Sequence, residues 1–277
     1  MDTPQQYLRN HATARLGVFA AVLATVFGIA ALAGAAVGPK PVKEAKMAMH
    51  EGATMAPAGL AIAEDGYRLD VAADHSPILR FRILNTAGQP VQDFAEEHGA
   101  RLHLIIVRRD LTGYQHLHPQ LDASGTWSIP LTLPAAGAYR MFADFQTGAK
   151  HLTLGADLFV PGEFQPRALP APTSVASVDG YEVALTEAEP GKLHFSVRRD
   201  GSEVTDIQPY LGARGHLVAL REGDLAYLHV HPEEGPAPGA GISFMAEYPS
   251  SGSYRLFLQF KHGGRVHTAE FTREVAR

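Results

Sequence analysis

The chain has 277 residues, enough for about two domains plus extra segments, each long enough to bury a core by packing alone. It contains no cysteine, which excludes disulfides, iron–sulfur clusters, blue-copper thiolate centres and cysteine nucleophiles. A net charge of −5 with neutral histidines argues against a nucleic-acid partner, which would call for a basic face, and leaves the 14 histidines as the main chemical resource.

Residues 1–15 read as a short cytoplasmic N-terminus. From Leu16 to Gly38 no residue is charged, and Val18, Phe19, Val22, Leu23, Val26, Phe27, Ile29, Leu32 and Val37 alternate with alanine. As a helix this stretch reaches about 35 Å, enough for a bilayer core of about 30 Å. It lacks the polar face of an amphipathic core helix. Two readings compete. Residues 16–38 are an uncleaved transmembrane anchor that leaves the bulk of the chain outside the cytoplasm, or a signal segment removed at a site such as Ala33-Gly34-Ala35, which gives a secreted protein.

Residues 39–59 are rich in Pro, Gly, Ala and Lys and show no period, as expected of a flexible tether. Met47, Met49, His50 and Met55 fall inside it, and thioether with imidazole suits Cu(I). The alternative is a chance cluster in a solvated tail.

Repetition dominates the remainder. Gly99-Ala100-Arg101-Leu102-His103-Leu104 returns as Gly212-Ala213-Arg214-Gly215-His216-Leu217, and Arg109-Asp110-Leu111 as Gly223-Asp224-Leu225. Tyr114-Gln115-His116-Leu117-His118-Pro119 returns as Tyr227-Leu228-His229-Val230-His231-Pro232, and Gly137-Ala138-Tyr139-Arg140 as Gly252-Ser253-Tyr254-Arg255. Between the copies, four prolines from Pro161 to Pro172 mark a semi-rigid spacer, with the linker placed at 163–174. The domains are therefore expected at 60–162 and 175–277. Short runs of branched and aromatic residues at Ile78–Leu84, Leu102–Val107, Thr126–Leu133, Ala138–Phe145 and Leu152–Val160, separated by turn signals, predict strands. The expected fold class is all-β: two tandem immunoglobulin-like β-sandwiches after one N-terminal transmembrane helix. Tyr139 and Tyr254, each opening a strand after a tight turn, are placed as tyrosine corners.

In a strand, residues i and i+2 share a face. His116 and His118 therefore face opposite to Leu117, and His229 and His231 opposite to Val230. With the apolar residues turned to the core, each pair lies on an outer face near a strand end. His103 and His216 begin the preceding strands, so a hairpin would bring three imidazoles together in each copy. Such sites suit copper and, second, zinc. His151 and His267 are candidate fourth ligands. The competing reading keeps these histidines for structure, as hydrogen-bond partners of turns. His11, His75, His98, His194 and His262 have no counterpart in the other copy and read as surface residues.

The apolar segment, the Met/His tether, and the motifs RLHLIIVRRDLTGYQHLHP at 101–119 and GHLVALREGDLAYLHVHP at 215–232 resemble a family of poorly characterised bacterial secreted or membrane-anchored proteins labelled heavy-metal-associated. The resemblance spans nearly the whole chain and implies metal handling outside the cytoplasm. The chain departs from the cytoplasmic fold that shares that label, because it has no Cys-x-x-Cys. The expected function is a non-catalytic, membrane-anchored metal-binding module, with a second metal-handling membrane protein as a further expected partner. The alternative is an adhesion or scaffold protein of tandem sandwiches without metal. No His-Glu-x-x-His, Gly-x-Ser-x-Gly or phosphate loop supports an enzyme.

Overall fold

The computed structural model describes residues 57–73, 77–228, 230–232 and 241–276. The expected membrane segment at 16–38, most of the tether with Met47, Met49, His50 and Met55, and also His11, His75 and His229 lie outside the described residues. Every regular element among the described residues is a strand, and none of them forms a helix long and apolar enough to cross a membrane. The first repeat runs β1 Ala63–Glu64, β2 Tyr67–Val71, β3 Ile78–Leu84, β4 His103–Arg108, β5 Gln115–Leu117, β6 Gln120–Leu121, β7 Trp127–Pro130, β8 Gly137–Thr147 and β9 Lys150–Val160. The second runs β10 Val175–Val178, β11 Tyr181–Glu189, β12 Lys192–Arg199, β13 Ser202–Glu203, β14 Gly215–Arg221, β15 Tyr227–Leu228, β16 Val230–Pro232, β17 Ile242–Ala246, β18 Gly252–His262 and β19 Arg265–Val275.

Each repeat is a two-sheet sandwich. Sheet order β1-β2-β3-β7-β6 faces β5-β4-β8-β9 in the first; β10-β11-β12-β17-β16, with β13 on β12, faces β15-β14-β18-β19 in the second. Period-two alternation explains the outer sheet of the first repeat. In β3, Leu79, Phe81 and Ile83 turn inward while Arg80 and Arg82 are exposed. The strands β4 and β14 read differently, as nearly unbroken apolar runs, the pattern of strands covered on both faces. Leu104 and Ile106 fill the first sandwich core. Ile105 and Val107, pointing the other way, join Leu111, Phe142, Val218, Leu220, Leu225 and Phe257 in a third apolar cluster between the repeats. Both repeats belong to one compact unit, Ala56–Arg277.

This seam is pseudo-symmetric. Tyr114 stacks on Phe257 with ring centroids 4.1 Å apart, and the matching Tyr227 lies 5.5 Å from Phe142. Leu111 and Leu225 enter it from turns in which both adopt left-handed backbone angles, φ 63° and 62°. That conformation costs a leucine roughly 1–2 kcal/mol. The matched Asp-Leu motifs supply the restraint. Arg108 grips Asp110 through Nε (2.9 Å) and Nη2 (2.6 Å), and Arg221 grips Asp224 in the same fork. The Pro-rich 163–174 segment is fixed as well: Arg167 N donates to Asp110 Oδ2 at 2.9 Å, and Leu169 packs on the seam. Ahead of β1, Gly59 N donates to the Thr153 carbonyl at 2.9 Å, and Tyr227 N donates to the Ala58 carbonyl at 3.0 Å. The end of the 39–59 segment thus joins the fold. Tyr139 and Tyr254 each donate their hydroxyl to the carbonyl four residues upstream, Ala135 and Ser250, both at 2.9 Å. This is the tyrosine-corner bond in both copies.

Candidate metal centre

The site grows from the start of β4 and the end of β5. The two strands pair antiparallel, with Ile105 opposite His116 and Leu104 opposite Leu117. Leu117 packs on the sandwich core, so His116 points to the outer face. Beyond Leu117 the chain leaves this sheet and enters β6 of the other, which swings His118 back toward His103. His116 Nε2 comes 3.0 Å from His103 Nδ1, and His118 Nε2 lies 3.2 Å from the same atom. One nitrogen from each ring falls within 4.8 Å of the others.

Hydrogen bonds at the far side of two rings determine which nitrogen carries the proton. His103 Nε2 donates to the Glu97 carbonyl at 3.0 Å. His116 Nδ1 donates to Gln259 Oε1 at 2.7 Å in this amide orientation, with Gln259 Nε2 on Thr268 Oγ1. A neutral imidazole has one N–H. The lone pairs of His103 Nδ1 and His116 Nε2 are therefore left facing the cluster. Orienting partners of this kind accompany metal-bound histidines.

Burial disfavours the charged rings, and neighbouring imidazoles add to the effect. His116 falls to about 3 and His118 to about 4, each first through desolvation and then through His103. His103 is lowered for the same leading reason. His216 falls to about 4, by burial first, with the Tyr210 carbonyl opposing. The cluster is thus a set of neutral donors. Beside it, burial opposes charge on Asp144, but the hydrogen bonds and charge of His151 outweigh this, with Thr153 adding a further bond, and hold the carboxyl below its usual range. His151 is raised, chiefly by its bond to Asp144.

Glu97, His98, His103, His116, Asp144, His151 and His216 line one cavity of ≈ 320 Å³ between the repeats. Of the residues expected to bind metal, His103, His116 and His118 meet, and His216 of the second repeat joins the same cavity rather than a separate one. His231 sits in β16, across the ladder from Met245. His151 lines the cavity and meets Asp144 there at 3.2 Å. His267 does not reach it. That ring is buried between Tyr181 and Phe260, with Nδ1 on Asp179 at 2.7 Å and Nε2 facing the His262 carbonyl at 3.3 Å. Register explains the difference. Phe145 pairs with Leu152 and Phe260 with His267, so His267 takes the place of a core leucine, while His151 is one residue off and on the opposite face. Three contributors escaped the sequence reading. His98, read as a surface residue, lies 5.7 Å from His216 by ring centroids. Asp144 and Gln259 occupy matching positions two residues after Phe142 and Phe257, on the face those phenylalanines turn to the seam, and that spacing was visible.

A family model described as "Domain of unknown function (DUF8832)" matches residues 63–161 and again 176–277. No curated protein matches the sequence. Among solved structures, the chain is similar to a two fibronectin type-III domain segment from chicken tenascin, with 10% identity and a TM-score of 0.22 over 75% of this chain and 97% of that one. It is also similar to a structure described as the BSP domain of a biofilm associated protein, with 13% identity and a TM-score of 0.20 over 76% of this chain and 29% of that one.

Proposed function

The chain belongs to the DUF8832 family, with two copies of the domain in tandem, and on that premise we propose that it is a rigid, non-catalytic scaffold whose seam binds a transition-metal ion. The observation that carries this reading is the meeting of three ring nitrogens from His103, His116 and His118. Two of them are stripped of protons by carbonyl partners on their far sides. Metal-free, the bare Nδ1 of His103 accepts from His118 Nε2 at 3.2 Å, and a cation in their midst would replace that bond with coordination by all three rings. An all-nitrogen donor set suits copper or zinc, and the absence of thiolate in the chain agrees with the same borderline ions. The ion would be held, with no reaction ascribed to it.

The apolar 16–38 segment supports a membrane-anchored or secreted protein with the repeats outside the cytoplasm. The sandwich type we take to be immunoglobulin-like, on the strength of the paired tyrosine corners. A second reading rests on the seam itself. Two sandwiches locked face to face present a stiff surface, and the imidazoles would then serve only as its polar filling.

Metal analysis of the untagged full-length protein, purified with and without added copper and zinc, separates the two. The metal reading expects at least one bound equivalent, lost in the double variant His116→Ala/His118→Ala. The scaffold reading expects none in either protein.

A further inference from the structure

The triad supplies three nitrogens, and a tetrahedral ion takes four ligands. Repeat two offers a fourth in a form that repeats the first. His216 Nε2 donates to the carbonyl of Tyr210, six residues upstream, at 2.9 Å, as His103 Nε2 does to Glu97, also six upstream. Both bonds leave Nδ1 as the bare nitrogen. The turns that carry these carbonyls are equivalent, with Glu97 bridged to Ala100 and Tyr210 to Ala213. They also touch: a Cβ on Gly99 would come 3.3 Å from Leu211 Cα.

Spacing and the matched carbonyl bond together single out His216. Imidazoles around a tetrahedral ion with metal–nitrogen bonds of ~2.0–2.1 Å have ring centroids about 5 Å apart. Inside the triad those separations are 5.2, 5.1 and 4.8 Å. The His216 ring stands 5.9 Å from His116 and 6.2 Å from His103, about 1 Å beyond that spacing. The shared cavity of ≈ 320 Å³ gives the rings room to close that gap by side-chain rotation. His98 stands almost as close to His103, at 6.4 Å, so the distinction is the carbonyl bond that leaves His216 Nδ1 bare, while Asp144 Oδ1 is engaged by His151 and Thr153. The second repeat already contributes to the triad, since its Gln259 holds His116.

We propose that His216 is the fourth ligand, so that one metal ion is coordinated by both repeats and clasps them together at the seam. The inference rests on the metal reading of the triad and adds that the first repeat alone does not complete the centre. An ion bound this way gains affinity from a docked seam and, by linkage, tightens the docking.

Cobalt(II), used as a visible-light substitute, tests it in the full-length chain. Wild type should give the spectrum of a closed four-nitrogen tetrahedral site, unaltered by azide. His216→Ala should bind cobalt more weakly by roughly 100-fold or more, above the ~10–100-fold that loss of an outer orienting partner costs. Azide should then change the spectrum of the variant, because a position has opened. Circular dichroism checks that the variant is folded, and His216→Gln is the substitute if His216→Ala is not. A wild-type spectrum that azide alters, or a wild-type affinity retained in the folded variant, would overturn the assignment while leaving the triad in place. A wild-type chain that binds no cobalt would overturn the metal reading itself, and this inference with it.

Discussion

The two repeats share a skeleton and differ on the face they turn to each other. Tyrosine corner, Arg–Asp fork, left-handed leucine and Tyr–Phe seam contact recur in both. Around the cavity the copies part. Asp144 stands where the other copy has Gln259, and the turn tip that is His98 in one is Leu211 in the other. The shared motifs hold the sandwiches and the seam in both copies, while Asp144 against Gln259 and His98 against Leu211 make the polar surroundings of the imidazoles unequal.

The strongest way to break the comparison is to empty the seam. Phe257 is fully buried between Tyr114 and the apolar cluster. Phe257→Ala should lower unfolding stability by about 3–5 kcal/mol in denaturant titration, the usual cost of a phenylalanine cavity. It should also weaken metal binding, though it touches no histidine of the triad. A variant as stable as wild type would mean that the repeats do not depend on each other.

The Arg–Asp forks allow a finer contrast. Side-chain exposure is 4% for Asp110 but 41% for Asp224. Replacing Asp110 by Ala leaves Arg108 buried without its partner and should cost about 3 kcal/mol or more. The same change at Asp224 should cost about 1 kcal/mol or less, as for exposed pairs. Equal losses would show that burial does not rank the two forks.

Acid distinguishes the cavity from the rest of the molecule with a smaller effect. His116, His118 and His216 stay neutral in the fold down to about 3, 4 and 4. In the unfolded chain they take protons near 6.5. Below that pH the unfolded state binds more protons, so metal-free stability present above pH ~6.5 should decline as pH falls toward those folded values. His151 is raised and works in the opposite sense: its contribution is full in acid and lost as pH rises through its folded value. Melting temperatures of metal-free wild type and of His116→Gln/His118→Gln between pH 7 and 4 should converge, with the shallower acid limb in the variant. Parallel curves would contradict the neutral, buried state of these rings.

Much of this was legible in the sequence because it rests on local rules. Alternation placed β3 and turned His116 away from the core, and the repeated motifs predicted a second copy of the same domain. The convergence of His103 with His116 and His118 followed from a hairpin. What escaped is non-local. The unbroken run Leu104–Val107 signals a strand covered twice, but not by what, and the covering partner is the other repeat. Hence Gln259, far along the chain, could not be tied to His116, and His216 was assigned to a site of its own. His151 follows Phe145 by six residues and His267 follows Phe260 by seven, an offset of one. In a strand it moves a side chain from solvent to core.

The central claim is that the seam imidazoles bind a metal in the folded protein. An ion that binds the folded chain and not the unfolded one must stabilise it by mass action, by about 2.7 kcal/mol at 100 times the dissociation constant. The direct measurement is the melting temperature of full-length metal-free protein at neutral pH as Cu(II) or Zn(II) is added in excess, beside His116→Ala/His118→Ala. The account predicts a rise that grows with metal concentration in wild type and is absent from the variant. A wild-type melting temperature that neither ion moves would contradict it.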